Sequence, residues 1–256
     1  KRTHKGIQAT KTGLIIAEKS KQIFSLMDEI HLCATETSNK FLLNISAMPS
    51  LVDTVLADII LDIEENNIPL QANIATSEQS TIIQDVQLGN SDLGIVFNDT
   101  PFRYPNLTYY ELFADSYYLF VGEKSPFYKY DSLSMEEALS CPHIAYKTEY
   151  EKEDDVLTRM IYQYGKPEIA LRVDNTESMR RLISKSSYVA FFPHFTTYHD
   201  AYIESARIRA LPIYDVDLTI YIGYIESNSF KDLQGNHLFF QLLKKVLQEN
   251  NYSHHN

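Results

Sequence analysis

Apolar and polar positions along this chain change period repeatedly, from two to about 3.6 and back, which marks strands alternating with helices. Phe41 to Ser46 reads as a buried strand, Leu51 to Glu65 as an amphipathic helix and Pro69 to Ala75 as a second strand. Ser80 to Leu88 is a second helix and Ser91 to Phe97 a third strand. Such alternation predicts βαβ units and a parallel sheet. Tyr109 to Leu112 and Tyr117 to Val121 follow as aromatic, strand-prone stretches. A second cycle then runs through strands at His143 to Tyr146, Glu168 to Val173 and Tyr188 to Phe192. Its helices are Ser134 to Ser140, Glu151 to Tyr164 and Thr176 to Lys185. Strands at Ile208 to Leu211 and Leu218 to Tyr224 and a helix from Phe230 to Gln248 complete the pattern. Two such cycles predict an α/β fold of two lobes with a cleft between them, where loops at the carboxyl ends of the strands converge.

The first segment has a different rhythm. Thr10 is placed to cap a helix reaching about Ala34, on which Ile16, Ile23 and Ile30 recur every seven residues. Ser20, Met27 and Ala34 fill the alternate positions. A seam this narrow, with polar residues around it, suits pairing with a second chain; a helix packed on its own domain usually shows a wider stripe. Ile16, Ile23, Met27 and Ile30 are therefore the expected dimer seam.

Composition narrows the class. The 256 residues are 44% hydrophobic and 22% charged, as in a soluble globular protein. No apolar run reaches the roughly 20 residues of a membrane-spanning helix. Cys33 and Cys141 stand far apart and read as free thiols of a reducing, cytoplasmic setting. The net charge of −11 argues against phosphate binding by the body, but its distribution is uneven. Six basic residues among the first 22 (Lys1, Arg2, Lys5, Lys11, Lys19, Lys21) stand against Glu18, a balance of +5, which leaves −16 for the rest. A basic edge joined to an acidic body is what this predicts.

Motifs for catalysis are missing: no phosphate-cradling glycine loop, nucleophile elbow or His-Glu-x-x-His occurs. The expectation is no enzyme, no cofactor and no metal site. The acids from Glu149 to Asp155 read as a solvated helix start.

Arg2, Gly6, Ile7, Thr10 and Gly13 resemble the end of the winged helix-turn-helix and the start of the linker helix in LysR-type transcriptional regulators. Ala9 stands where leucine is usual in that family. The resemblance continues in the strand–helix opening from Phe41 to Ile60 and in the stretch Val86 to Ile95. It extends through Asp174 to Ile183 and on to Tyr188–Pro193, where Ser187 and Tyr188 replace a glycine-rich approach. It implies a type 2 periplasmic-binding-protein-like sensor domain preceded by a long linker helix and the remnant of a winged helix-turn-helix. The implied division is 1–10 for the remnant and 11–35 for the linker and dimerisation helix. Lobe I takes 39–120 plus 223–256, and lobe II 121–222. The family's recognition helices would precede Lys1, so this stretch alone should bind DNA poorly. Lys1, Arg2 and Lys5 would touch only the DNA backbone. Implied partners are DNA through the full-length protein, a small-molecule effector, and a second copy or three more in a homodimer or homotetramer, with no membrane.

The loops at the strand ends supply candidate effector contacts. Ser46, Met48 and Ser50 lie near one helix start and Ser77 and Ser80 near another, where backbone N–H groups and the helix dipole favour anions. Serines at such places equally serve as caps. Tyr146, Asn175 and Thr176 are placed across the cleft, with Phe97, Phe192 and Pro193 as apolar walls or as core. Lys147 either adds charge or is a solvated surface residue. This set suits a small polar or anionic metabolite. The rival reading is a transporter's solute-binding protein, which shares the two-lobed fold but not the basic segment and seamed helix. A purely structural dimerisation module is the third reading and needs no cleft.

Overall fold

The computed structural model describes residues 2, 3, 6, 7, 10, 12, 13, 16, 19, 20, 23, 41–99, 102, 104–147, 155–228 and 234–249. Strands β1 (Arg2–Thr3) and β2 (Gly6–Ile7) form a two-stranded antiparallel ribbon, Arg2 opposite Ile7. Thr10 Oγ1 accepts the Gly13 N–H at 3.0 Å, and Thr12, Gly13, Ile16, Lys19, Ser20 and Ile23 are helical. Ile16 and Ile23 are 60% and 57% exposed, so the body of this chain does not cover them. Lys1, Lys5, Met27 and Ile30 lie outside the described residues, as does Cys33.

Lobe I is built on β3 (Phe41–Ala47), β4 (Leu70–Thr76) and β5 (Leu93–Asn98), with β3 parallel to both neighbours. Helix α1 joins β3 to β4 in three parts: Pro49–Leu51, a π-helical stretch Val52–Leu56, and Ala57–Glu65. Helix α2 (Gln79–Leu88) joins β4 to β5 and ends at Gly89, whose φ of 70° is the left-handed stop that glycine takes without strain. Ile59 and Ile63 of α1 bury on one face of the sheet; Ile82, Ile83 and Val86 of α2 bury on the other.

Lobe II repeats the plan. Strands β7 (His143–Tyr146), β8 (Ile169–Val173) and β9 (Val189–Pro193) are parallel. Around them lie α3 (Met135–Leu139), α4 (Val156–Tyr162), α5 (Thr176–Lys185) and the short α6 (Ala201–Glu204). Val156, Leu157 and Ile161 pack on one face and Met179 and Ile183 on the other.

The chain crosses between the lobes twice, and the strands at these crossings add antiparallel pairs to the parallel ones read from the sequence. The stretches around Tyr109 and Tyr117 are one strand, β6 (Leu107–Gly122), not two. Its first part, to Ser116, pairs antiparallel with β11 (Thr219–Ser227); from Tyr117 on it pairs antiparallel with β9, and from Leu119 also with β10 (Ile208–Leu211). The pairing thus changes lobe at Ser116/Tyr117 and again at Thr219, slightly ahead of the 120/121 and 222/223 boundaries read from the sequence. The strand orders are β4-β3-β5-β11-β6 and β8-β7-β9-β6-β10, the same arrangement twice. At the crossing, buried Asp115 accepts the Phe195 N–H at 2.7 Å, and the Phe195 ring stands edge-on to Phe97 and Phe113. Helix α7 (Gln234–Glu249) returns to lobe I, where Lys245 Nζ donates to Asp62 Oδ1 of α1 at 2.6 Å.

Candidate functional site

A cavity of about 130 Å³ opens between the lobes. Lobe I contributes the start of α1 (Met48, Pro49, Ser50), the turn into α2 (Ser77 to Ser80), Phe97 and Tyr104. Tyr117 comes from the crossing strand; Tyr146, Asp155, Leu157 and Phe191–Pro193 come from lobe II. The site lies at the carboxyl ends of parallel strands in both lobes, because both sheets point those ends at the crossing.

Helix starts differ sharply between the two sides. In lobe II all four described α-helix starts are capped by their own side chains. Ser134 and Glu137 form a reciprocal box; Asp155 accepts the Thr158 N–H at 2.8 Å and Asn175 the Ser178 N–H at 2.7 Å. Asp200 accepts from Tyr202 and Ile203. The two starts that face the cavity from lobe I, at Met48 and Glu78, have no side-chain cap. Pro49 occupies the first helical position of α1 and brings no N–H, which leaves Ser50 as the foremost donor there. The π stretch just behind widens the helix at the same end, a feature that recurs at functional sites.

Other groups hold the walls in place. Gln79 Oε1 accepts the Phe97 N–H at 3.2 Å, tying α2 to β5. The Tyr146 hydroxyl bonds Thr176 Oγ1. Arg159 of α4 reaches across to Asp99, just beyond β5, with Nε at 3.2 Å from Oδ2. This ion pair joins the two lobes at the side of the cavity.

The family model for the LysR substrate binding domain matches residues 38–248. The chain belongs to the LysR family. Solved structures show the same fold: a full-length OxyR variant from Pseudomonas aeruginosa superposes with a TM-score of 0.68 at 14% identity, over 97% of this chain and 79% of that one. The effector binding domain of QuiR in complex with shikimate gives 0.64 at 13%, over 82% and 98%. HinK, a LysR family transcriptional regulator from Pseudomonas aeruginosa, gives 0.64 at 13%, over 94% and 83%. No curated protein sequence matches. Within the described residues no helix is long and apolar enough to cross a membrane. The two-lobed fold is common ground with solute-binding proteins; the family match is what separates the LysR reading from that rival.

Of the effector residues read from the sequence, this LysR domain brings Met48, Ser50, Ser77, Ser80, Phe97, Tyr146, Phe192 and Pro193 to the cavity. Three stand elsewhere. Ser46 is buried and shares a 2.7 Å hydrogen bond with Ser91 in the interior of lobe I, because its strand continues to Ala47 before the loop begins. Asn175 spends its Oδ1 on capping α5, and Thr176 is buried behind Tyr146. Lys147 is exposed and outside the cavity. Asp155 corrects the reading of a solvated acidic run: it caps α4 and lines the cavity. Glu78, Gln79 and Phe191 had a signal in their neighbours. Tyr104 and Leu157 had none, since tertiary folding alone brings them there.

One buried base stands behind the lobe II wall. His143 is fully buried, its ring stacked on Phe191 with centroids 5.4 Å apart, and one ring nitrogen bonds the Ala138 carbonyl at 3.0 Å. Its Nδ1 has no partner among the described residues. Burial therefore holds its pKa down at about 4, against an ordinary 6.5. Between those values the unfolded chain takes up the proton and the folded one does not. Stability is thus complete above about pH 6.5 and falls as pH drops toward 4, by on the order of 3 kcal/mol at the bottom of that window. Urea unfolding across it should show this loss, and His143→Gln should flatten the slope; an unchanged slope in the variant would refute the assignment. Cys141 is also buried, and burial pushes its thiol up, away from the reactive thiolate.

Proposed function

We infer that this chain is the oligomerisation and small-molecule-sensing portion of a cytoplasmic LysR-type transcriptional regulator. An effector binds between the lobes and changes how the oligomer engages promoter DNA. The observation that carries the reading is the cavity lined from both lobes, with two uncapped helix starts on one side of it. Uncapped first-turn N–H groups need partners, and a ligand is the partner available in a cleft. A ligand touching both lobes binds the closed arrangement better than the open one, and only that difference shifts the equilibrium.

The amino-terminal segment supports the rest. The ribbon Arg2–Ile7 reads as a wing, the helix after Thr10 as a linker, and exposed Ile16 and Ile23 as part of a seam with a second chain. Lobe movement would then displace paired linkers and the DNA-binding heads they carry.

A thermal-shift screen of metabolites against this chain is the direct test. A specific stabiliser should lose its effect in Ser80→Tyr, which fills the cavity, and should change the DNA footprint of the full-length regulator. A stabiliser that acts equally on Ser80→Tyr would place binding elsewhere.

A further inference from the structure

We propose that the Arg159–Asp99 ion pair is a latch that sets how far the two lobes stand apart before any effector binds; this rests on the cleft reading only for what the latch controls. Asp99 follows the end of β5 in lobe I and Arg159 stands on α4 in lobe II, so the bond runs from one lobe to the other. Arg180–Asp200 and Arg209–Asp131, by contrast, each lie within lobe II, and Lys245–Asp62 within lobe I. The contact is two-pronged: Arg159 Nε donates to Asp99 Oδ2 at 3.2 Å and Nη2 donates to Oδ1. That geometry, with the Asp99 side chain only 11% exposed, makes the pair stronger than an open surface one. Arg159 at 36% still reaches water, so parting the two groups strands no deeply buried charge. Such a bond can both hold and release.

The topology supplies the motion for it to govern. The pairing changes lobe at Ser116/Tyr117 on β6 and at Thr219 on β11, and Thr219 is the register partner of Ser116. Both crossings therefore lie side by side, and rotation about that line is the soft movement between the lobes. A contact on the line, such as Asp115 with the Phe195 N–H, changes little in such a rotation. Asp99 and Arg159 belong to neither crossing strand, and the bond between them must lengthen as the walls part.

The latch also touches the cavity. Besides Asp99, the electrostatic neighbours of Arg159 include Asp155 and Tyr104, which line the cavity from lobe II and lobe I. An effector that needs both walls binds the fraction of molecules in which they already face each other, so its apparent affinity scales with that fraction. By raising the fraction, the ion pair tunes both that affinity and the state of the domain without effector.

Distances between spin labels on the ligand-free chain test this by pulsed electron resonance. Labels go on Gln84→Cys of α2 and Arg181→Cys of α5, both exposed, in a Cys33→Ser background; Cys141 is buried. Dilution with unlabelled chain restricts the reading to distances within one chain. Asp99→Asn and Arg159→Met should each raise the ratio of longer to shorter distances by about five- to tenfold. The double variant should raise it no further, since each change removes the same pair. Asp99→Lys, which sets two cations against each other, should raise it most. A second label pair within lobe I, Glu65→Cys with Gln84→Cys, should keep its distance throughout, which separates opening from unfolding. An Asp99→Lys distribution equal to the parent's would overturn the proposal. So would a double variant whose change is the product of the two singles, because each side chain would then act through another partner. No ligand enters these measurements, so the latch stands or falls apart from the effector screen: lobes that open as described, with a stabiliser indifferent to Ser80→Tyr, would leave the latch in place and the effector site misplaced.

Discussion

Gly122→Ala is expected to destabilise the domain by on the order of 3 kcal/mol or more, lowering Tm by roughly 6–12 °C. Gly122 ends β6, where lobe II's crossing strand runs against the last turn of α5. A Cβ there would stand 2.0 Å from the Ile183 carbonyl oxygen and 3.1 Å from the Ser184 Cα. Both are backbone atoms, so no rotamer change relieves the contact; α5 must move away from a sheet against which Met179 and Ile183 are fully buried. Gly89→Ala is the contrast. Its left-handed φ of 70° is strained for alanine, but the cost there is about 1 kcal/mol. Thermal unfolding of the two variants should separate them clearly; equal losses would mean that the close approach at Gly122 is not tight.

Arg180→Met is the second large effect, at about 3–5 kcal/mol. The Arg180 guanidinium on α5 pairs with Asp200, and the side chains are only 11% and 5% exposed. It also donates to the Thr196 carbonyl at 3.1 Å and lies 5.3 Å from the centre of the Phe192 ring. Removing it strands a buried carboxylate, and that uncompensated charge is the main cost. Arg180→Met with Asp200→Asn should therefore recover part of the loss, since asparagine keeps the cap on α6 without the charge. Because Phe192 lines the cavity, the single variant should also bind effector more weakly. Denaturant titration of the two variants checks the first point and calorimetry the second; a double variant no more stable than the single one would remove the stranded-charge explanation.

How much of this was legible in the sequence depends on the range of the forces involved. The elements were, nearly to the residue: α5, β7 and β10 were read with the bounds they have, and β3, β4 and β9 within a residue at either end. Hydrophobic period and capping residues are local, so one stretch of chain carries the whole signal. The short α6 was not read, because four residues held by the Asp200 cap leave no period to count.

The site was half legible. Serines and aromatics at strand ends were found because topology alone sends those ends to one cleft. Ser46 and Thr176 were misplaced because a one-residue difference in where a strand ends, or which hydroxyl finds a neighbour, turns a ligand contact into an interior hydrogen bond. Glu78 and Asp155 lie far apart in the chain and line one cavity only in the folded protein.

The amino-acid order by itself determined the two βα cycles and the family, since both are written in local periodicity and in an ordered set of short motifs. Tertiary structure alone decided that β6 is one strand serving two sheets and which side chains face each other in the cleft. Those outcomes turn on contacts between distant segments, whose energies depend on distances that no linear pattern carries.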